Sequence, residues 1–288
     1  MKLTRILIVA LAILLIGSPV LADAVIGDEI ISIGADLTEE QRNSILIELG
    51  ANDNSQIIEV TNREEHEYLG GFIPAEKIGT QALSSAKITI QNEGEGVDID
   101  VSDNIIYITE DIYRNALLTA GINDADVEIT APGRVTGTGA LTGILKAYET
   151  LTGENIPEDV KKIANEELVV TYELGESVGN SDATKLVNEI KVQFSENMPE
   201  NEEEARTLII NISNNYNVNL TDAQVEQLVS LFMRMKNSNV DWNKLADTAA
   251  EYSDRASEYL SSDEGQSFLQ SLKTAFSSFI DWIANLFS

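Results

Sequence analysis

The sequence predicts an α+β or α/β protein: an N-terminal layered α/β domain followed by a mostly helical C-terminal region. Three observations predict it. Short runs rich in β-branched residues alternate with capped helical segments as far as Thr152. Beyond Ile156 the strand signals fade, and apolar residues recur at helical spacing instead. Capping residues and glycines punctuate the chain at its changes of period.

Taken in order, Val25–Ile33 has strand composition and Gly34 closes it. Thr38-Glu39-Glu40-Gln41 is a capping box, in which the Thr hydroxyl and Gln amide satisfy the first free N–H groups of a helix. That helix buries Ile45, Leu46 and Leu49 and stops at Gly50. Ile57–Val60 is a short strand, and Thr61-Asn62 cap a polar helix ending at Gly70-Gly71. Pro74 starts a short helix toward Leu83. Ala86–Gln91 and Val97–Val101 alternate apolar and polar residues across a five-residue, glycine-containing turn, which predicts a hairpin. Asn104–Ile108 continues as strand, and Thr109 begins a helix carrying Ile112, Ala116, Leu117 and Ala120 on one face. Ala125–Ala131 is the next strand. Pro132-Gly133 turns the chain into a glycine-rich segment, and Ala140–Leu151 closes the domain as a helix.

Five further helices are expected. Pro157 opens one, Ser181-Asp182 cap another, Glu202–Glu204 begin a third, and the capping box Thr221–Gln224 begins a fourth. Asp241 starts one more through Trp242, Leu245 and Ala249. The expected divisions are a signal peptide at 1–22, the α/β domain at 23–152, a helical region at 153–262 and an amphipathic aromatic C-terminal helix at 263–288.

The leader reading rests on Lys2 and Arg5, the apolar run Ile6–Ile16, and a small-residue cleavage site with Val20 and Ala22 at its −3 and −1 positions. The run is short for a bilayer span of about 20 residues. The segment is either cleaved or kept as an anchor, and both place the protein outside the cytoplasm, at the surface or in the envelope. The 48 acidic and 19 basic residues give a net charge of −29, which repels nucleic acid and anionic lipid. No cysteine is present, so disulfides, thiolate metal sites and cysteine nucleophiles are excluded. A single histidine, His66, excludes a multi-histidine zinc site within one chain.

Several motifs match known chemistries only in part. Gly175-Glu176-Ser177-Val178-Gly179 has the G-x-S-x-G form, but no histidine follows it in the chain. Ser84-Ser85-Ala86-Lys87 and Ser102-Asp103-Asn104 match S-x-x-K and S-D-N, yet Lys87 enters a strand and no K-T-G follows. Gly137, Gly139 and Gly143 lie between a strand and a helix, where a phosphate loop would sit. Their spacing departs from G-x-G-x-x-G and no Walker lysine follows, so they are read as a tight structural turn and no cofactor is expected. Asp98, Asp100 and Asp103 are the weak calcium candidates, without EF-hand spacing.

In the tail, Phe268, Leu272, Phe276, Phe279, Ile283 and Leu286 fall on one helical stripe. The stripe is read either as core or as an interaction surface. Its occupants would be a protein or envelope partner, a membrane interface, or a second copy of the chain; Lys273 is its only basic residue, which sits poorly with a typical interfacial helix.

The segments TAGINDADVEITAP and GTGALTGILKAYE resemble the YpuA-like family of secreted proteins of unknown function. GADLTEEQR, EYLGGFIPAEKIGTQALSSAKI, NIIYITEDIYRNALLTAGI, IANEELVVTYEL and LTDAQVEQLVSLFMRMKNSNVDW fit the same pattern. The resemblance implies export and this two-part layout, and it carries no catalytic residues. The sequence therefore favours a non-enzymatic binding or interaction module. The alternative is a carboxylate-dependent hydrolase acting on a cell-envelope polymer, since paired carboxylates need no histidine.

Overall fold

The computed structural model of the chain describes residues 26–251, Pro74 excepted, with all side chains among them save those of Glu76, Lys77, Ala250 and Glu251. The expected leader and the aromatic stripe from Phe268 to Leu286 lie outside the described residues.

The fold is α+β. Strands β1 (Glu29–Gly34), β2 (Gln56–Val60), β3 (Ser85–Ile90), β4 (Val97–Val101) and β5 (Ala125–Thr130) form one mixed sheet in the order β2-β1-β3-β5-β4. The outer pairs β1–β2 and β4–β5 are parallel, and the inner pairs β1–β3 and β3–β5 are antiparallel. Between the strands lie α1 (Glu39–Glu48), α2 (Asn62–Leu69), α3 (Ala75–Ile78) and α4 (Glu110–Thr119). After β5 come α5 (Ala140–Thr152), α6 (Glu158–Val178), α7 (Asn180–Glu196), α8 (Glu202–Asn215), α9 (Asp222–Lys236) and α10 (Trp242–Glu251).

The expected hairpin does not form: β5 is inserted between β3 and β4. Ile88 pairs with Val127, and Val127 pairs with Ile99 on its other side. The connection at 92–96 therefore crosses the end of β5, a span of two strand spacings or about 10 Å. Asp124, just before β5, holds that crossing by accepting from the backbone N–H groups of Gly94 and Gly96 at 2.7 and 3.0 Å.

Alternation along the strands builds two faces. Ile30, Ile88, Val127 and Ile99 stand in one register row and are all buried, each contributing about 1.5–3 kcal/mol of apolar burial. α5 packs over β1 and β3 on this side, and α4 over β4. On the opposite face Ile31 and Ile33 meet Ile45 of α1 and Leu49, its C-cap, in a small separate cluster. The inner cluster continues without a break into the helices, from Ile30 through Leu168 and Phe194 to Leu245. Phe194 packs against Phe232 at 4.9 Å between ring centroids and stacks on Trp242 at 5.9 Å.

Three local expectations are corrected. Asn104–Ile108 is not a strand: Ile105 makes one isolated bridge to Val135, since the chain must turn from β4 into α4 there. The helix expected from Pro74 toward Leu83 covers only Ala75–Ile78, and the chain then runs without regular structure to β3. No cap forms at Ser181-Asp182, because α7 already begins at Asn180. Gly179, at φ 95°, reverses α6 into α7 in a single residue that a side chain would strain.

Candidate functional site

The site is built on the first turn of α2. Thr61 caps this helix: its N–H donates to Glu64 Oε2 at 2.8 Å, while the Glu64 N–H donates to Thr61 Oγ1 at 3.3 Å. Glu64 is also held by Lys146 Nζ of α5 at 2.6 Å, and Lys146 donates in turn to the Glu59 carbonyl at 2.8 Å. With the cap thus oriented, the next residue, Glu65, points inward on the same helix face as Leu69. Glu65 is 4% exposed. Its Oε2 accepts from Asn62 Nδ2 at 3.2 Å. Burial pushes its carboxyl up to about 7; nearby Asp36 and Glu64 add to the effect and the Asn62 hydrogen bond opposes it.

The glycine-rich turn supplies the other wall. A Cβ on Gly139, at the N-terminal end of α5, would overlap Glu65 Oε1. Gly137 has φ 90°, and a Cβ there would overlap Ile105 and lie 2.6 Å from Tyr113 Oη. The Tyr113 hydroxyl donates to the Gly137 carbonyl at 2.5 Å from full burial, which drives its pKa upward. Gly143 lets α5 cross β1, since a Cβ would sit 2.7 Å from Ser32 Oγ. Each of the three glycines thus yields its space to a neighbouring side chain.

Between α2 and this turn lies a cavity of ≈280 Å³, lined among others by Glu65, Thr80, Ser84, Thr136, Thr138 and Gly139. Its apolar wall is Ile78, Leu83 and Val135, and it reaches solvent at exposed Thr80 and Gln81. Thr136 and Thr138 hold each other through their hydroxyls at 3.2 Å. His66 is not among the lining residues, but its Nε2 lies 2.9 Å from the carbonyl of Gly79, which is; a carbonyl only accepts, so Nε2 carries the hydrogen.

The remaining candidate residues are not gathered here. Asp98 and Asp100 are exposed on β4, opposite Asp126 and Glu128 of β5, on the sheet face that α1 leaves open. Burial, and after it the neighbouring Glu128 and Asp98, raise the Asp126 pKa, and Lys87 pairs with Glu128. Asp103 lies apart, on a wider cavity of ≈530 Å³ at the start of α4. Among the described residues, no three acidic or histidine side chains converge to hold a metal ion. Ser177 sits in the last turn of α6, donating to the Leu174 carbonyl at 2.8 Å and accepting from Gln224 at 2.6 Å, which is no nucleophile elbow. Ser84 lines the cavity, whereas Lys87 reaches from β3 to Glu128 of β5, so the S-x-x-K residues do not meet.

A second buried constellation escaped the sequence reading. Glu167 and Lys191 are both wholly buried and pair at 2.5 Å. Thr119 Oγ1 donates to Glu167 Oε2 at 2.5 Å, and Lys191 donates to the Asn115 carbonyl at 3.0 Å. Burial pushes the Glu167 carboxyl up and the Lys191 ammonium down, and each opposes the other's shift. Glu189 is raised by burial too, against hydrogen bonds from Tyr216 at 2.9 Å and Gln193 at 3.0 Å. One signal could have found Glu65: it stands four residues before Leu69, an acid on the apolar stripe of α2, concealed within the polar run from Arg63 to Glu67.

Comparison with known proteins gives a consistent result. A family model described as "Protein of unknown function (DUF1002)" matches residues 33–252. The chain is 44% identical over 279 residues to "Uncharacterized protein YpuA" of Bacillus subtilis (strain 168), covering 96% of each chain. No solved structure matches. Among the described residues, no helix is long and apolar enough to cross a membrane.

Proposed function

Since the chain belongs to the DUF1002 family of proteins of unknown function, we propose from its own residues that it is an exported envelope or surface protein that binds a partner rather than transforming one. The observation that carries this reading is the disposition of the buried carboxyls. Glu167 is tied to Lys191 and Thr119, Glu189 to Tyr216 and Gln193, Glu166 to Arg234, and Glu204 accepts from the Asn201 side chain and the Glu200 N–H. The first three of these acids tie one helix to another, and Glu204 closes the N-terminus of its own. Glu65 is the one carboxyl among the described residues lining its cavity, whereas glycoside hydrolysis uses two acids across a scissile bond.

Export is supported by the basic, apolar and small-residue order of the first 22 residues and by the absence of cysteine. The partner surface is assigned to the stripe Phe268, Leu272, Phe276, Phe279, Ile283 and Leu286. The test is fractionation and cross-linking pull-down from intact cells, using the full chain and a version lacking 265–288. The expected result is an envelope-associated full chain whose association is lost in the truncation, with an unchanged unfolding midpoint. Recovery in the cytosol overturns export, and a truncated protein that unfolds makes the stripe part of the core.

A further inference from the structure

Glu65 is an acid in an unusual position: deeply buried, at the wall of a cavity, and without a cation among the described side chains. Its Oε2 accepts from Asn62, and among the described residues no donor engages Oε1, beside Gly139. The charged groups bearing on it are Asp36 from the end of β1 and Glu64 from α2, the latter neutralised by Lys146 of α5. Asp36 is itself engaged, accepting from the Ala82 N–H at 2.8 Å. Among the described side chains lining the cavity, none is basic. A buried carboxylate without a partner is costly, and a cation brought by a ligand would remove that cost.

The rest of the lining narrows the kind of cation. Hydroxyls of Thr80, Ser84, Thr136 and Thr138 supply further acceptors, and Ile78, Leu83 and Val135 supply an apolar wall. A divalent metal would need several oxygen ligands of which carboxylates are the main source, and only one carboxyl is present among the described lining residues. A guanidinium prefers a carboxylate with both oxygens free for its planar fork, and Asn62 already occupies one. An ammonium is a compact point charge with three donors, matched by one carboxylate oxygen and neighbouring hydroxyls. At ≈280 Å³ the cavity is at the small end for ligand sites, suited to the end of a chain rather than a whole large molecule. The net charge of −29 also concentrates cations around the protein.

We infer that the cavity between α2 and the glycine turn is a recognition site for a primary ammonium group on a short aliphatic chain, with Glu65 as its counter-ion and Thr138 as a hydroxyl acceptor. This rests on the reading of the protein as a binding module and names what one of its sites takes. Binding requires Glu65 ionised, so affinity rises with pH through about 7.

The test uses the full chain with n-butylammonium chloride as the probe and n-butanol as its uncharged counterpart, followed by titration calorimetry and protein-observed NMR. Saturable binding with a dissociation constant of about a millimolar is expected at pH 8, as suits a five-atom ligand. It should weaken about tenfold at pH 6, where one carboxyl in about eleven remains ionised. Glu65→Gln should abolish it, and Thr138→Val should weaken it while keeping the side-chain shape. Butanol binding as well as the ammonium, Glu65→Gln binding as well as the parent, or no saturation at all would each overturn the inference. None of these outcomes bears on envelope association through 265–288, so the two readings fail separately.

Discussion

The buried Glu167–Lys191 pair offers the most demanding test of the fold's electrostatics. Lys191→Met keeps the length of the side chain and removes its charge. Glu167 is then left wholly buried, with Thr119 as its one hydrogen-bond donor among the described residues. Removing one partner of a buried pair costs about 3–5 kcal/mol. The loss should depend on pH in a defined direction. Without Lys191, burial holds the folded pKa of Glu167 above its ordinary value, so the folded state keeps a proton that the unfolded chain releases. Stability of the variant therefore falls as pH rises above about 4.5, by about 1.4 kcal/mol per pH unit until the folded carboxyl ionises. Urea unfolding at pH 5 and pH 7, followed by circular dichroism, measures this. The parent–variant gap should be larger at pH 7, because in the parent Lys191 opposes part of the rise that burial imposes on Glu167. Glu167→Gln together with Lys191→Met should recover much of the loss, because no buried charge remains. A gap below about 1 kcal/mol, or one equal at both pH values, would refute the assignment of the pair as a buried, mutually stabilised couple.

Two further outcomes follow from the cavity. Gly139→Ala places a Cβ over Glu65 Oε1 and 3.1 Å from Glu65 Cγ, and should destabilise by about 1–3 kcal/mol. In a Glu65→Ala background the same substitution should cost about 1 kcal/mol less, a coupling read from a double-mutant cycle of unfolding free energies. Glu65 itself, raised by burial to about 7 in the folded state, should contribute stability that is present below pH 4.5 and lost as pH rises through 7. The loss by pH 8 is about 3 kcal/mol, and Glu65→Gln should flatten that part of the stability–pH profile in calorimetric melts.

How much of this was legible beforehand varies with the range of the interaction. The capping boxes at Thr38–Gln41 and Thr221–Gln224 form as their residues predict, with paired backbone and side-chain hydrogen bonds. The helix faces built on Leu186, Ile190 and Phe194, and on Val225, Leu228 and Phe232, are buried as their spacing predicts. The glycines of the turn make room for Glu65, Tyr113 and Ser32. What was not legible was which side chain needed that room. Glu65 is one of several acids in Arg63–Glu67, and its distinction comes from facing Gly139, some seventy residues away.

The sequence by itself determined the location and type of most elements, the excess of negative charge and the exclusion of thiol and multi-histidine chemistry. These depend on local hydrogen bonds, on periodicity and on composition, which neighbouring residues set among themselves. Only the tertiary structure decided that β5 lies between β3 and β4, that Glu65 meets the glycine turn, and that Glu167 pairs with Lys191. Strand order depends on which apolar faces can be buried together, and a carboxyl's pKa on what surrounds it after folding. Both are set by groups distant in the chain, so neither is written in any single stretch of it.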